Sequence, residues 1–309
     1  MSDYVVIVGS MNCDVIYLQD RLPVRGETFQ ASEARVVPGG KGANQAVQAA
    51  KLGIKTYMVS KVGRDCFGRF LKEELASYGA DASNVFDGCG TTGIAAVHTL
   101  PDGVYFSTVA PGTNFELTID EICSLRELIC GAKVVIVQNE VTPEVTYEVI
   151  RMASESDVYV VYNAAPARDV PAEILAKTDC LIVNEAEASF YLGSEIDSVE
   201  SAKTKCPPLL EKVKDILIIT LGKNGSLLCS REGCVHYPAD DTIKAVETTG
   251  SGDSYVGAFA YMKAFGADND TACRFASLVS QYTITKVGGQ PSMPTFADVE
   301  EQWLQEKNA

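Results

Sequence analysis

The chain has 309 residues, 22% of them charged and 46% hydrophobic, and a formal net charge of −15. That is enough chain for one large α/β domain with a sizeable core. The acidic balance argues against nucleic acid and anionic membrane as partners, and no apolar run reaches the roughly 18 residues of a membrane span.

The first strand is predicted at 4–8, where Tyr4-Val5-Val6-Ile7-Val8 is an unbroken apolar run of the kind buried on both faces of a parallel sheet. It runs into Gly9-Ser10-Met11-Asn12-Cys13-Asp14. Ligands of open α/β sheets bind beyond the carboxyl ends of strands. Asn12 and Asp14 alternate, so both point the same way if the chain stays extended. Ordinary turn chemistry is the competing explanation for an Asn and an Asp here.

Next comes Pro38-Gly39-Gly40-Lys41-Gly42-Ala43-Asn44-Gln45-Ala46, glycines placed before a helix predicted at 43–52. The glycines let backbone approach a small ligand closely. The spacing is not that of a Walker A loop, since no Ser or Thr follows the lysine. Nor is it a dinucleotide fingerprint, because no strand runs directly into Gly39 at the N-terminus of a first βαβ unit.

From there strands and helices alternate. Strands are predicted at 55–60, 132–138, 158–163, 180–183 and 215–220, and helices at 65–78, 142–155, 170–177, 186–192 and 198–213. Asp65 is a plausible N-cap, and Gly79 a plausible stop, for the 65–78 helix. The alternation implies βαβ crossovers and a parallel sheet with helices on both faces. Two segments, 13–37 and 90–109, break it with short alternating strand-like runs, and Pro101-Asp102-Gly103 reads as a hairpin turn. These strands are too few for a domain of their own. They are expected to form a small sheet, or lid, over the mouth of the main one, within a single domain spanning 1–309.

Near the C-terminus Glu247-Thr248-Thr249-Gly250-Ser251-Gly252-Asp253 precedes another helical pattern. Small residues leave backbone N–H groups open at a helix start, where the dipole favours an anion. Asp253 puts a carboxylate at the same place. An anion cradle beside a base is what phosphoryl transfer to a hydroxyl requires. Alone, such a glycine turn is weak evidence for catalysis.

Together, Gly39 to Asn44 and Thr248 to Asp253 resemble the two hallmark motifs of the ribokinase-like carbohydrate kinases, nearest the ribokinase branch. Further matches lie between and after them in order: Gly63-Arg64-Asp65 with Gly68, Asn139-Glu140, Asn163-Ala164-Ala165-Pro166-Ala167-Arg168, Asn184-Glu185-Ala186-Glu187, Thr220-Leu221-Gly222-Lys223-Asn224-Gly225 and Gly288-Gly289-Gln290-Pro291-Ser292. The resemblance spans Val5 to about Pro294. It implies a three-layer α/β/α fold with a central, mainly parallel sheet and a small β-sheet lid that also pairs two subunits into a homodimer. It implies transfer of the γ-phosphoryl of ATP to the 5-hydroxyl of D-ribose. Asp253 would be the base, and the N–H groups of Gly250, Ser251 and Gly252 the anion hole. The sugar would be held by Asn12, Asp14, Gly40, Lys41, Asn44 and Glu140. The nucleotide would lie against Asn184, Glu187, Thr220, Gly222, Gly225, Gly252 and Ser277, with Asn184 and Glu187 placing Mg²⁺, largely through water. A potassium ion would be held around Glu247, Thr249, Gly289 and Ser292.

Glu247 departs from the pattern, in which an Asp is usual, and so weakens the expectation of a potassium site. Lys223 and Ser251 also replace commoner small residues. The bland alternative for Glu187 is an acid complementing a helix dipole; for Lys41, a solvated surface lysine. A kinase for another pentose, a hexose or a nucleoside is the nearest alternative function, although 90–109 does not clearly supply the aromatic base pocket of a nucleoside kinase. A catalytically silent sugar-binding regulator is the alternative from another class, and it would not need Asp253 with its glycines.

Ten cysteines and only two histidines are present, without a CxxC pair. A structural zinc site is not expected from such spacings. With no basic stretch leading into an apolar run and cleavage site at the start, a cytoplasmic location with reduced thiols is expected.

Overall fold

The apolar run Tyr4–Val8 forms an interior strand whose alternate side chains enter two different cores. Val5 and Ile7 join one buried cluster, Val6 and Val8 the other. Both clusters are fully covered, so the sheet carries helices on both faces. The structure, a computed structural model, describes residues 3–100 and 105–307.

Thirteen strands occur among the described residues: β1 (Tyr4–Val8), β2 (Asn12–Leu18), β3 (Glu33–Gly39), β4 (Lys55–Gly63), β5 (Asp81–Gly88), β6 (Gly93–Thr99), β7 (Tyr105–Ala110), β8 (Val134–Val137), β9 (Tyr159–Asn163), β10 (Cys180–Asn184), β11 (Ile216–Thr220), β12 (Ser226–Ser230) and β13 (Gly233–Tyr237). Nine of them form the main sheet in the order β13-β12-β11-β10-β9-β8-β1-β4-β5. It is parallel from β5 to β11, and β12 and β13 add an antiparallel hairpin at one edge. The four-stranded second sheet, β3-β2-β6-β7, is the expected lid. This is the three-layer α/β/α architecture with a β lid.

One outer layer includes helices Lys41–Lys51, Ser251–Ala264 and Asn269–Thr283, with Phe259, Phe275 and Trp303 in its core. The other includes Pro143–Ser154 and Glu185–Leu192, with Val149, Tyr162 and Leu181 in its core. No helix among the described residues is long and apolar enough to cross a membrane.

Several expectations need correction. The 198–213 helix is two, Val199–Lys205 and Pro207–Leu210, because Pro207 and Pro208 cannot donate to a continuing ladder. The 170–177 helix shrinks to Ala172–Leu175 behind Pro171. Strand β5 and the β12–β13 hairpin were not foreseen. The turn at 101–103 lies outside the described residues. The cysteines are not all reduced: Cys229 and Cys234 are joined by a disulfide across the hairpin. The register sets them directly opposite each other, Cα–Cα 4.2 Å apart. A Cys-x4-Cys spacing around a tight turn was the signal that could have shown it.

Candidate active site

Two glycine turns bring two helix starts together. Gly40, with φ 88°, precedes helix Lys41–Lys51, and a Cβ there would sit 2.7 Å from the Asn12 N atom. Only glycine fits both the backbone angle and the approach. Gly250, with φ 79°, precedes helix Ser251–Ala264 and leaves its first N–H groups without a side-chain cap. Gly257 lets the two helices close on each other, since a Cβ there would stand 2.7 Å from the Gln45 carbonyl oxygen.

Asp253 is in the first turn of the second helix and buried. Two amides from the first helix grip it. Asn44 Nδ2 donates to Oδ2 at 2.9 Å and Gln45 Nε2 to Oδ1 at 2.9 Å. The amides are themselves held. Gln290 Nε2 donates to Asn44 Oδ1 at 3.0 Å, and Gln138 Nε2 to Gln45 Oε1 at 2.6 Å. Gln45 also donates to Asn163 Oδ1 at 3.0 Å. The carboxylate is therefore fixed on both oxygens by a buried polar chain with one orientation. Gln45, Gln138, Asn163 and Gln290 were not assigned from sequence, although Gln45, Asn163 and Gln290 lie inside the quoted motifs.

The anion cradle is only partly as expected. The Ser251 N–H bonds back to the Thr248 carbonyl at 3.2 Å, so an incoming oxygen has to compete for it. A Cβ built on Gly252 meets nothing within 4 Å, which leaves space beside the helix start for a ligand. The Ser251 hydroxyl turns away, to Ser280 Oγ at 2.9 Å.

Asn12 and Asp14 lie on β2, at the open end of β1. Asn12 is held by Asn114, whose Nδ2 donates to Asn12 Oδ1 at 2.8 Å. Asn114 sits in the short turn Gly112–Glu116 and was missed from sequence. Asp14 packs against Gly39, whose missing side chain makes room for the carboxylate. Its Oδ1 is buried without a partner. Burial, then the charges of Glu140 and Asp253, push the Asp14 carboxyl up to about 7. Glu140, after β8, accepts from the Lys41 N–H at 3.0 Å and from the Ser10 hydroxyl. The expected sugar-side residues thus converge on one place, and one buried acceptor among them awaits a donor.

Asn184 and Glu187 form a reciprocal capping box on helix Glu185–Leu192. Asn184 Oδ1 accepts from Glu187 N at 2.8 Å, and Glu187 Oε2 from Asn184 N at 2.9 Å. Burial raises the Glu187 carboxyl; the Lys41 charge lowers it and the Asp253 charge raises it further, which places all three groups within electrostatic reach. Thr220 stands level with Asn184 across the β10–β11 pair. Gly222 and Gly225, with φ 50° and 85°, turn the chain from β11 into β12. Ser277 reaches the start of β12, 3.4 Å from Ser226 Oγ.

Glu247 crosses to the expected cation segment, where its Oε2 accepts from the Gly288 N–H at 2.9 Å. Thr249 lies beside Gly289, and Ser292 Oγ donates to the Gly289 carbonyl at 2.8 Å. A built-in cation reaches the same stretch: Lys51 Nζ donates to the carbonyls of Gln290 at 2.9 Å and Met293 at 2.7 Å. Burial draws its ammonium down to about 8.

A buried carboxylate on an uncapped helix start, with further carboxylates and amides nearby, is an arrangement that can hold a polar ligand and an anion side by side. The family of pfkB carbohydrate kinases matches residues 2–296. A ribokinase of Mus musculus is 33% identical over 301 residues, covering 96% of this chain and 93% of its own. A deoxyribokinase of Salmonella typhi is 30% identical over 299 residues, covering 96% and 97%. The structure of Arabidopsis thaliana ribokinase complexed with ribose and ATP aligns with a TM-score of 0.90 at 28% identity, covering 98% and 99%. The chain belongs to the pfkB family of carbohydrate kinases and is a ribokinase-like phosphotransferase with an alcohol group as acceptor.

Asp14 gives this site a pH signature. Its folded-state value, about 7, lies above the ordinary 3.8, so the ionised carboxylate destabilises the fold increasingly as pH rises from about 4 to 7. Asp14→Asn removes that penalty. Urea unfolding should show the variant gaining more stability at pH 8 than at pH 5, and an equal effect at both would contradict the buried, crowded carboxylate.

Proposed function

We propose that the chain transfers the γ-phosphoryl of ATP to the 5-hydroxyl of D-ribose, with Asp253 as the base. One observation carries the reading: Asp253 is buried at an uncapped helix start and gripped on both oxygens by Asn44 and Gln45 of the other glycine motif. A base held this way meets a hydroxyl in one orientation, so little reorganisation is left for the transition state. Gly250 and Gly252 supply N–H groups to the transferring phosphoryl, and Ser251 joins when it releases Thr248.

The ribose hydroxyls fit Asn12, Asp14, Lys41, Asn44 and Glu140, and a hydroxyl donor would satisfy the orphan Asp14 Oδ1. Gly40 lets backbone close on the ring. The mouse and plant ribokinases support ribose as acceptor. The deoxyribokinase match supports a second reading, 2-deoxyribose, which lacks one hydroxyl and would leave one polar group of the pocket unpaired.

Thr220, Gly222, Gly225 and Ser277 border the ATP side. The oxygen donors of Asn184 and Glu187 suit Mg²⁺, which they would hold through water because each already spends an oxygen on the capping box. Bound Mg²⁺ offsets negative charge on the phosphates. Glu247, Thr249, Gly289 and Ser292 are oxygen donors that suit potassium, although the Glu247–Gly288 bond already ties the two loops together.

The chain acts as one unit of 309 residues with its lid. The register sets Val36, Val15, Tyr17, His98 and Phe106 on the lid face opposite Asp14. Val36 and Phe106 are 52% and 47% exposed there. Apolar lid faces of two copies cover each other in a homodimer.

In a coupled assay over pentoses, hexoses and nucleosides, ribose should give the highest kcat/KM; a higher value for 2-deoxyribose would move the assignment to the second reading. Asp253→Asn should lower kcat by roughly 10²- to 10⁴-fold while sugar and ATP still bind in calorimetry. If the rate barely falls, Asp253 is not the base. Potassium should raise the wild-type rate above that in sodium or a bulky organic cation, and Glu247→Asp should respond more sharply. Identical rates in all three salts for both proteins would remove the cation site. Sedimentation should show a dimer at micromolar concentration that Val36→Glu converts to monomer, whereas a wild-type monomer would sink the lid pairing.

A further inference from the structure

Three sulfurs meet at the far edge of the main sheet, in a place the kinase reading does not use. Cys229 on β12 and Cys234 on β13 face each other across the hairpin. Cys206 ends helix Val199–Lys205, where Pro207 starts the next short helix. Its Sγ lies 3.2 Å from Cys229 Sγ and 3.6 Å from Cys234 Sγ. All three sulfurs fall within 4.8 Å of one another. Cys206 and Cys229 are buried and Cys234 is partly exposed. A hollow of ≈ 680 Å³ reaches Cys206 and Cys234 from the surface, between Leu210 and Arg231.

We propose that, in the reduced protein, Cys206, Cys229 and Cys234 form a three-thiolate site for one soft, thiophilic cation of the Zn²⁺ or Cu(I) class, and that the Cys229–Cys234 bond is the closed, oxidised form of that site. Ligand type supports this choice, because thiolates select such ions and among the described residues no carboxylate or imidazole joins the group. The spacing supports it as well. At a metal–sulfur distance of about 2.3 Å, three sulfurs around one ion stand about 3.8–4.0 Å apart. From 3.2 Å and 3.6 Å, the Cys206–Cys229 and Cys206–Cys234 separations widen by about 0.6–0.8 Å and 0.2–0.4 Å to reach that spacing, and Cys229 and Cys234 part once their bond opens. The hollow beside Cys234 gives the ion a route in and room for a water as fourth ligand.

The chemistry balances with a dithiol as reductant. Two electrons and two protons pass from the dithiol to the Cys229–Cys234 bond, which becomes two thiols while the dithiol becomes a disulfide. The three thiols then release three protons to solvent as three metal–sulfur bonds form. A small-molecule disulfide takes up two electrons to become two thiolates, which restores the Cys229–Cys234 bond and expels the ion, and Cys206 takes back a proton. Sequence spacing could not show the site, because Cys206 is brought to the hairpin only by the packing of its helices on β12.

The test uses the full-length protein, reduced with a phosphine under nitrogen and titrated with Cd²⁺ as spectroscopic probe and with Zn²⁺. One Cd²⁺ per chain should bind with a thiolate-to-metal charge-transfer band, and the band should be absent in the oxidised protein. Alkylation followed by peptide mass mapping of the wild type should show Cys206, Cys229 and Cys234 protected by the metal, while the exposed Cys66, Cys89 and Cys123 still react. Cys206→Ala should weaken binding by more than the roughly 10- to 100-fold that even outer-shell changes cost at metal sites. A titration without a thiolate band would overturn the proposal. So would protection that maps to other cysteines, or binding unchanged by Cys206→Ala. The mapping on the wild type keeps the test decisive if that variant does not fold.

Discussion

The grip of Asn44 and Gln45 on Asp253 is the contact on which the site depends, because it joins residues more than 200 positions apart. It forms only if helices Lys41–Lys51 and Ser251–Ala264 approach closely, which Gly257 permits. The first helix must also press on the loop after β1. Gly42 permits that, since a Cβ there would sit 2.7 Å from Ser10 N. Glycines that look like loop punctuation in the sequence therefore set the distance between two polar side chains and a carboxylate. The second layer of amides, Gln138, Asn163 and Gln290, holds the pair in that orientation.

Around that contact the protein gathers negative charge. Asp14, Glu140, Glu187 and Asp253 act on one another, and Asp14 shows the cost in a carboxyl held near neutrality. The arrangement makes sense as a store of acceptors for a ligand rich in hydroxyls, with Lys41 as the cation that moderates it. A silent binding protein would have no use for a carboxylate gripped on both oxygens at an uncapped helix start, and Asp253 weighs against that reading.

The segment after Thr283 shows how structure can duplicate the work of an ion. Glu247 ties Gly288 from one side, while Lys51 satisfies the Gln290 and Met293 carbonyls from the other. Both are charged groups supplied by the chain itself. They hold the loop that backs Asn44 through Gln290, and so the loop's order feeds into the orientation of the Asp253 carboxylate.

The sequence by itself determined the class of fold and the two motifs. Unbroken apolar runs at 4–8, 180–183 and 216–219 read as buried strands, and glycines before helical patterns read as close-approach turns. Asp253, Asp14 and Asn44 stood out because each is a polar residue at such a turn. Local signals failed where the partner is distant. Asn114, Gln138 and Gln290 carry no local pattern, since an amide becomes a positioning group only through what it faces. The β12–β13 hairpin and the thiol cluster with Cys206 belong to the same class. Side-chain periodicity records which face is buried, but which distant groups share that face is decided by the packing of helices across the sheet, and that is information only the tertiary structure holds.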